Sequence, residues 1–91
     1  MSVKIRIFHD EVRRVIDHPG ELRLEGGTVG ECLEDLIRRY PQAKPLMFDS
    51  TGRLLKRFHV FVNHESLQKV SMSRPVTDRD TLLLVVLASG G

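Results

Sequence analysis

The segment from Thr28 to Tyr40 constrains this chain more than any other. Thr28-Val29-Gly30-Glu31 has the Thr-x-x-Glu spacing of a capping box, in which hydroxyl and carboxylate satisfy amides left over at a helix start. Val29, Cys32, Leu33, Leu36, Ile37 and Tyr40 then recur at offsets of three and four, which makes one apolar stripe. Glu34 with Arg38 and Asp35 with Arg39 are acid-first pairs, expected on the opposite, wet face. Pro41 ends the helix. The sequence has 91 residues, enough for one core, so a lone amphipathic helix of this kind must bury its stripe across a sheet.

Strand signals surround it. Val3, Ile5 and Ile7 alternate with Lys4 and Arg6, the period-two pattern of a strand with one dry face. After a polar stretch, Pro19-Gly20 marks a turn, and Glu21-Leu22-Arg23-Leu24 resumes the alternation until Gly26-Gly27. The two strands read as a hairpin with a long connection. Beyond the helix, Pro45 and Asp49-Ser50-Thr51-Gly52 signal loop, with Leu46-Met47-Phe48 as an apolar plug of one helical turn that seals an end of the core. Phe58, Val60 and Val62 alternate with His59 and Phe61 in a third strand that stops at Asn63-His64. A weak fourth strand is expected around Gln68 to Val70. Pro75 and Thr77-Asp78-Arg79-Asp80 form a turn region, and Thr81 to Leu87 is a continuous run of β-branched and leucine residues suited to an interior strand. The expected architecture is α+β, a mixed sheet of four to five strands with one main helix on one face. Residues 1–87 form the domain and 88–91 a flexible tail.

Little in this scaffold supports intrinsic chemistry. Fourteen Lys and Arg against twelve Asp and Glu give a net charge of +2, too mild to call for a nucleic-acid partner. With four Phe, one Tyr and no Trp, a base-stacking platform is not expected. The single cysteine, Cys32, excludes an internal disulfide and a multi-cysteine zinc site, and its place on the stripe makes it a core residue. The four histidines lack metal-ligand spacing, so no metal site is expected. Gly26-Gly27-x-x-Gly30 lacks the lysine of a phosphate loop and reads as turn and helix entry, and Asp78 and Asp80 read as turn formers. There is no signal-like apolar segment at the start, and the longest apolar run, Leu82 to Ala88, is too short to span a bilayer. A soluble cytoplasmic protein is the expectation.

Two features remain. Gly90-Gly91 follows directly on the most apolar strand. Two residues without Cβ can thread a narrow channel, and a terminal carboxylate is a poor electrophile that needs activation from outside, for example by ATP. Such a chain is a substrate of another enzyme. The second feature is the sheet face away from the helix. Lys4, Arg6, His59 and Phe61 fall on it by alternation, together with either Leu83, Val85 and Leu87 or Leu82, Leu84 and Val86. An apolar patch with a basic edge of this kind reads as a partner surface.

The element order, the Thr28 to Tyr40 helix, Val60-Phe61-Val62-Asn63-His64-Glu65, Val76-Thr77-Asp78-Arg79-Asp80-Thr81 and terminal Gly90-Gly91 together resemble the ubiquitin-like sulfur carriers of the MoaD/ThiS family. The resemblance covers nearly the whole chain. It implies a β-grasp fold and no intrinsic catalytic residues or cofactor. The partners it implies are a ubiquitin-activating-like adenylyltransferase, which uses ATP, and a sulfur-accepting synthase. Gly91 would be adenylated and converted to a thiocarboxylate, with Gly90 permitting its approach, and Lys4, Arg6, His59, Phe61 and Leu87 would meet the partners. Arg79 stands where the family often has the glycine of Asp-Gly-Asp, and Leu87-Ala88-Ser89 lacks the proline common before the glycines. The segment between Tyr40 and Phe58 exceeds that of the most compact members and is similar to carriers of cysteine or thio-metabolite biosynthesis and to longer MoaD-like proteins. Molybdopterin, cysteine or thio-metabolite, and thiamine pathways all stay open. So do two other functions: a modifier joined to lysines through Gly91, and a plain ubiquitin-like binding module.

Overall fold

The most apolar segment becomes the middle of the sheet. The computed structural model describes residues 2–16, 21–63, 65–66 and 72–86. Within it, strands β1 (Ser2–Phe8), β2 (Glu21–Glu25), β3 (Phe58–Val62), β4 (Glu65–Ser66) and β5 (Thr81–Val86) lie in the order β2-β1-β5-β3-β4. β5 runs parallel to β1 and antiparallel to β3, and β2 and β4 pair antiparallel with β1 and β3. A strand flanked on both sides needs no polar edge, which is why a run without alternation fits there.

Val3, Ile5 and Ile7 of β1, Leu22 and Leu24 of β2, Phe58, Val60 and Val62 of β3, and Leu82 and Leu84 of β5 are all buried. The helix α2 (Val29–Arg39) supplies Val29, Cys32, Leu33 and Leu36 to the same core. Each large aliphatic side chain removed from water here contributes about 1.5–3 kcal/mol. The capping box forms with one shift. The Glu31 amide donates to Thr28 Oγ1 at 3.1 Å, whereas the Glu31 carboxylate accepts from the Gly27 amide at 2.8 Å, one residue before the cap.

Two expectations need correction. The polar stretch after β1 contains a short helix, α1 (Asp10–Val15), capped by His9, whose Nδ1 accepts from the Val12 amide. Val12 and Ile16 are fully buried. Six residues span under two turns, too few for the apolar period to stand out, although Asp10 and Glu11 at its start and Arg13 and Arg14 at its end already matched the helix dipole. The fourth strand was expected around Gln68 to Val70, which lies outside the described residues. Among the described residues a short strand at Glu65–Ser66 pairs with the free side of β3, in register Phe61↔Ser66 and Val62↔Glu65. Asn63 turns the chain between them at φ 52°, a left-handed conformation that Asn tolerates. The plug does form as expected: α3 (Lys44–Met47) follows a 3₁₀ turn over Pro41–Ala43 and buries Met47. Pro45 sits in its first turn, where a missing N–H costs nothing.

The second correction concerns Asp35, which does not lie on the wet face. It is 4% exposed. Its Oδ2 accepts from the Glu25 amide at 2.8 Å and faces Arg39 at 3.0 Å, and its Oδ1 accepts from Arg38. Arg38 therefore pairs with Asp35 and not with Glu34. Arg39 also donates to the Arg23 carbonyl at 3.0 Å, so one ion cluster ties α2 to β2. Burial works to raise the Asp35 carboxyl, but the Glu25 amide and the two guanidiniums outweigh it, and the group is held below the usual carboxylate range.

Asp35→Ala strips a charged acceptor from a buried amide and should cost about 2–3 kcal/mol in urea melts at neutral pH. Because the folded carboxyl titrates below its unfolded value of about 3.9, its contribution is complete above that value and lost as pH falls through the folded one. Asp35→Asn should accordingly flatten the acid limb of stability between roughly pH 5 and 2. At Gly26 an added Cβ would stand 2.7 Å from the Cys32 amide nitrogen and 2.9 Å from the Glu31 backbone, whereas at Gly27 the nearest atom is the movable Glu31 carboxylate at 3.5 Å. Gly26→Ala should lose about 1–3 kcal/mol, and Gly27→Ala should stay within about 0.5 kcal/mol of the parent.

Candidate functional site: the open sheet face

Strand alternation sends half of the sheet residues away from α2. Val3, Ile5 and Ile7 point inward, so Lys4, Arg6 and Phe8 point outward, and on β3 His59 and Phe61 do the same. On β5, Leu82 and Leu84 are fully buried in the core while Leu83 and Val85 are half-buried. Of the two alternate sets left open by the sequence, the outward one is therefore Leu83 and Val85. Leu87, Gly90 and Gly91 lie outside the described residues.

Register turns these residues into rows. Arg6, Leu83 and Phe61 are Cα partners across three strands, and so are Phe8, Val85 and His59 one step further along. Phe8 is 49% exposed, the large apolar side chain most open to solvent among the described residues. It was missed as a surface residue in the sequence, yet it is simply the next member of the Lys4, Arg6 alternation. The Arg6 guanidinium lies 5.5 Å from its ring centroid, a cation–π contact that holds the ring on this face. Beside this apolar centre, Lys4 and Arg6 approach the Glu21 carboxylate of β2 at 3.8 and 3.6 Å. The expected basic edge is thus a mixed one, and these half-exposed pairs add at most about 1 kcal/mol each to stability.

The other candidates resolve into structure. Cys32 is fully buried. Burial, followed by the carboxylates of Asp35, Glu31 and Glu25, pushes its thiol up and away from the reactive thiolate. The first helix amides, which a phosphate would need, are already taken. Val29 N donates to the Arg74 carbonyl at 3.0 Å, Gly30 N to the Met72 carbonyl at 2.8 Å, and Glu31 N to Thr28. Asp80 accepts from Asn63 Nδ2 at 2.6 Å and from the Thr77 amide at 2.7 Å. Those bonds, Asn63 first, hold its carboxyl low and clamp the turn before β5 to the end of β3. Asp78 is exposed in the same turn. Among the described residues, no group of three His, Cys, Asp or Glu is placed to hold a metal ion, and no helix is long and apolar enough to cross a membrane.

The fold is shared with solved structures of small proteins. SAMP1 from Haloferax volcanii is 24% identical with a TM-score of 0.82 over 100% of both chains. A chain of the Amycolatopsis orientalis BexX/CysO complex is 23% identical with a TM-score of 0.79, covering 98% of this protein and 99% of that chain. CysO of Mycobacterium tuberculosis is 18% identical with a TM-score of 0.79, covering 94% and 99%. At such identities the likeness establishes the β-grasp fold. No curated protein matches the sequence. The model of the ThiS family, by contrast, matches residues 10–91, nearly the whole length, and this chain therefore belongs to the ThiS family of ThiS/MoaD-type ubiquitin-like sulfur carriers.

Proposed function

We propose that this protein is a cytoplasmic sulfur carrier, a protein substrate and not itself an enzyme. The observation that carries this reading is the family match that runs through to Gly91. In the proposed reaction an adenylyltransferase binds ATP, and the Gly91 carboxylate oxygen forms a bond to the α-phosphorus while pyrophosphate leaves. A sulfur donor then displaces AMP from the acyl carbon and leaves a thiocarboxylate, which a synthase accepts. This chain contributes the terminal glycines, whose lack of side chains permits entry to a narrow site. It also contributes a stiff origin for them, since β5 is paired on both sides. The apolar rows around Phe8, Leu83 and Phe61 then serve as the surface on which the partner rests, with Lys4, Arg6 and His59 at their margins. Cysteine or thio-metabolite synthesis is one destination for the sulfur, supported by likeness to CysO, and molybdopterin or thiamine synthesis are others. The likeness to SAMP1, described as a small archaeal modifier protein, favours a second reading in which Gly91 is joined to lysines of other proteins.

Incubation with the cognate activating enzyme, ATP and a sulfur source should replace one oxygen by sulfur at the C-terminus in intact-mass spectra. An unchanged mass with a demonstrably active enzyme rejects the carrier reading, and a ladder of larger adenylation-dependent species identifies the modifier. Deletion of Gly91 should abolish the sulfur gain and leave the thermal melt unchanged. Phe8→Asp should weaken the complex with the activating enzyme by about tenfold or more, as loss of an aromatic anchor does, with stability within about 0.5 kcal/mol of the parent.

A further inference from the structure

A groove of about 510 Å³ lies between the first turns of α2, the 48–56 segment and the start of β3. Its volume falls in the range of sites that hold small ligands or single anchoring side chains. Leu33, Phe48, Leu54 and Met72 contribute its apolar lining. The 48–56 wall is built in advance. Phe48 and Leu54 form a β-bridge, Leu55 N donates to the Met47 carbonyl at 2.7 Å, and one Asp49 oxygen accepts from the Thr51 and Arg53 amides at 2.8 and 3.1 Å. The charges are unevenly spread. Arg53 and Lys56 stand on this wall, with the Asp49 carboxylate near Arg53, and Glu34 comes from the helix. Lys56 is exposed and, among the described residues, forms no ion pair. The position is also defined, because Phe58 and His59 border the groove and are the Cα partners of Val86 and Val85, where β5 gives way to the segment that leads to Gly90 and Gly91.

We infer that this groove is a docking site for an apolar side chain that has a carboxylate next to it, carried by the protein that handles the C-terminus. The apolar lining takes the side chain, and Arg53 with Lys56 takes the carboxylate. A protein that handles the terminal glycines acts on the chain that continues from Val86, and the groove is bordered by Phe58, the Cα partner of Val86. The identity of that partner rests on the carrier reading, whereas the chemistry of the occupant rests on the groove alone.

The test uses the full-length chain labelled with ¹⁵N and the capped dipeptide N-acetyl-leucyl-aspartyl amide as the probe. Amide shifts should map to Gly30, Gly52, Leu54 and Lys56. The Asn analogue and the Gly analogue should each bind at least about fivefold more weakly, and so should the probe with the Arg53→Glu, Lys56→Glu double variant, as loss of two exposed charge contacts implies. Both substituted positions are exposed, so the double variant should keep the parent melting temperature. Shifts confined to the sheet face around Phe8 and Leu83, or equal binding of the Asn analogue, overturn the inference. Sulfur gain at Gly91 without dipeptide binding overturns the groove and leaves the carrier reading standing. Dipeptide binding without sulfur gain does the reverse.

Discussion

The placement of β5 between β1 and β3 is the constraint on which everything else rests. Its parallel pairing with β1 joins the two ends of the described chain, and its antiparallel pairing with β3 draws in the middle. Inward Leu82 and Leu84 fill the core under α2, while outward Leu83 and Val85 carry apolar character to the uncovered face. One helix covers one face of a sheet. A central strand that is apolar on both sides of such a sheet therefore builds a core and an exposed apolar patch from the same residues.

The attachment of α2 to that sheet depends on polar contacts as much as on the apolar stripe. Asp35 and Arg39 take the Glu25 amide and the Arg23 carbonyl, backbone groups that an edge strand would otherwise present to another chain. The same cluster that docks the helix thus closes part of the β2 edge. At the other end of the helix, backbone carbonyls of Met72 and Arg74 occupy the Val29 and Gly30 amides. Gly26 allows the helix backbone to approach closely. Both ends of α2 are thus bound into the structure, whereas the outer sheet face and the groove beside the 48–56 segment are open.

Much of this could be read from the residue pattern. The Thr28 cap, the α2 stripe, the alternation in β1, β2 and β3 and the interior character of β5 are local signals, and local signals survive without coordinates because periodicity reflects which face will be dry. The expected surface residues Lys4, Arg6, His59 and Phe61 were legible for the same reason, and Phe8 would have been had the alternation been followed one step further. α1 escaped because two turns offer too short a period, and β4 because a two-residue strand is specified by its partner β3 and not by its own residues.

What the sequence by itself determined was the α+β class, the core-facing set on three strands and one helix, and membership in the ThiS family. Tertiary structure alone decided three things. It chose Leu83 and Val85 over Leu82 and Leu84 as the outward set, because a run that is apolar at every position carries no alternation to read. It moved Asp35 from the wet face to the helix–sheet seam, because the carboxylate is drawn inward by an amide of another element, that of Glu25 in β2, while Arg38 and Arg39 one turn on in α2 balance its charge. And it set the 48–56 segment against α2 and β3 to form a groove, since a cleft between elements far apart in the chain is a property of their packing and leaves no periodic trace.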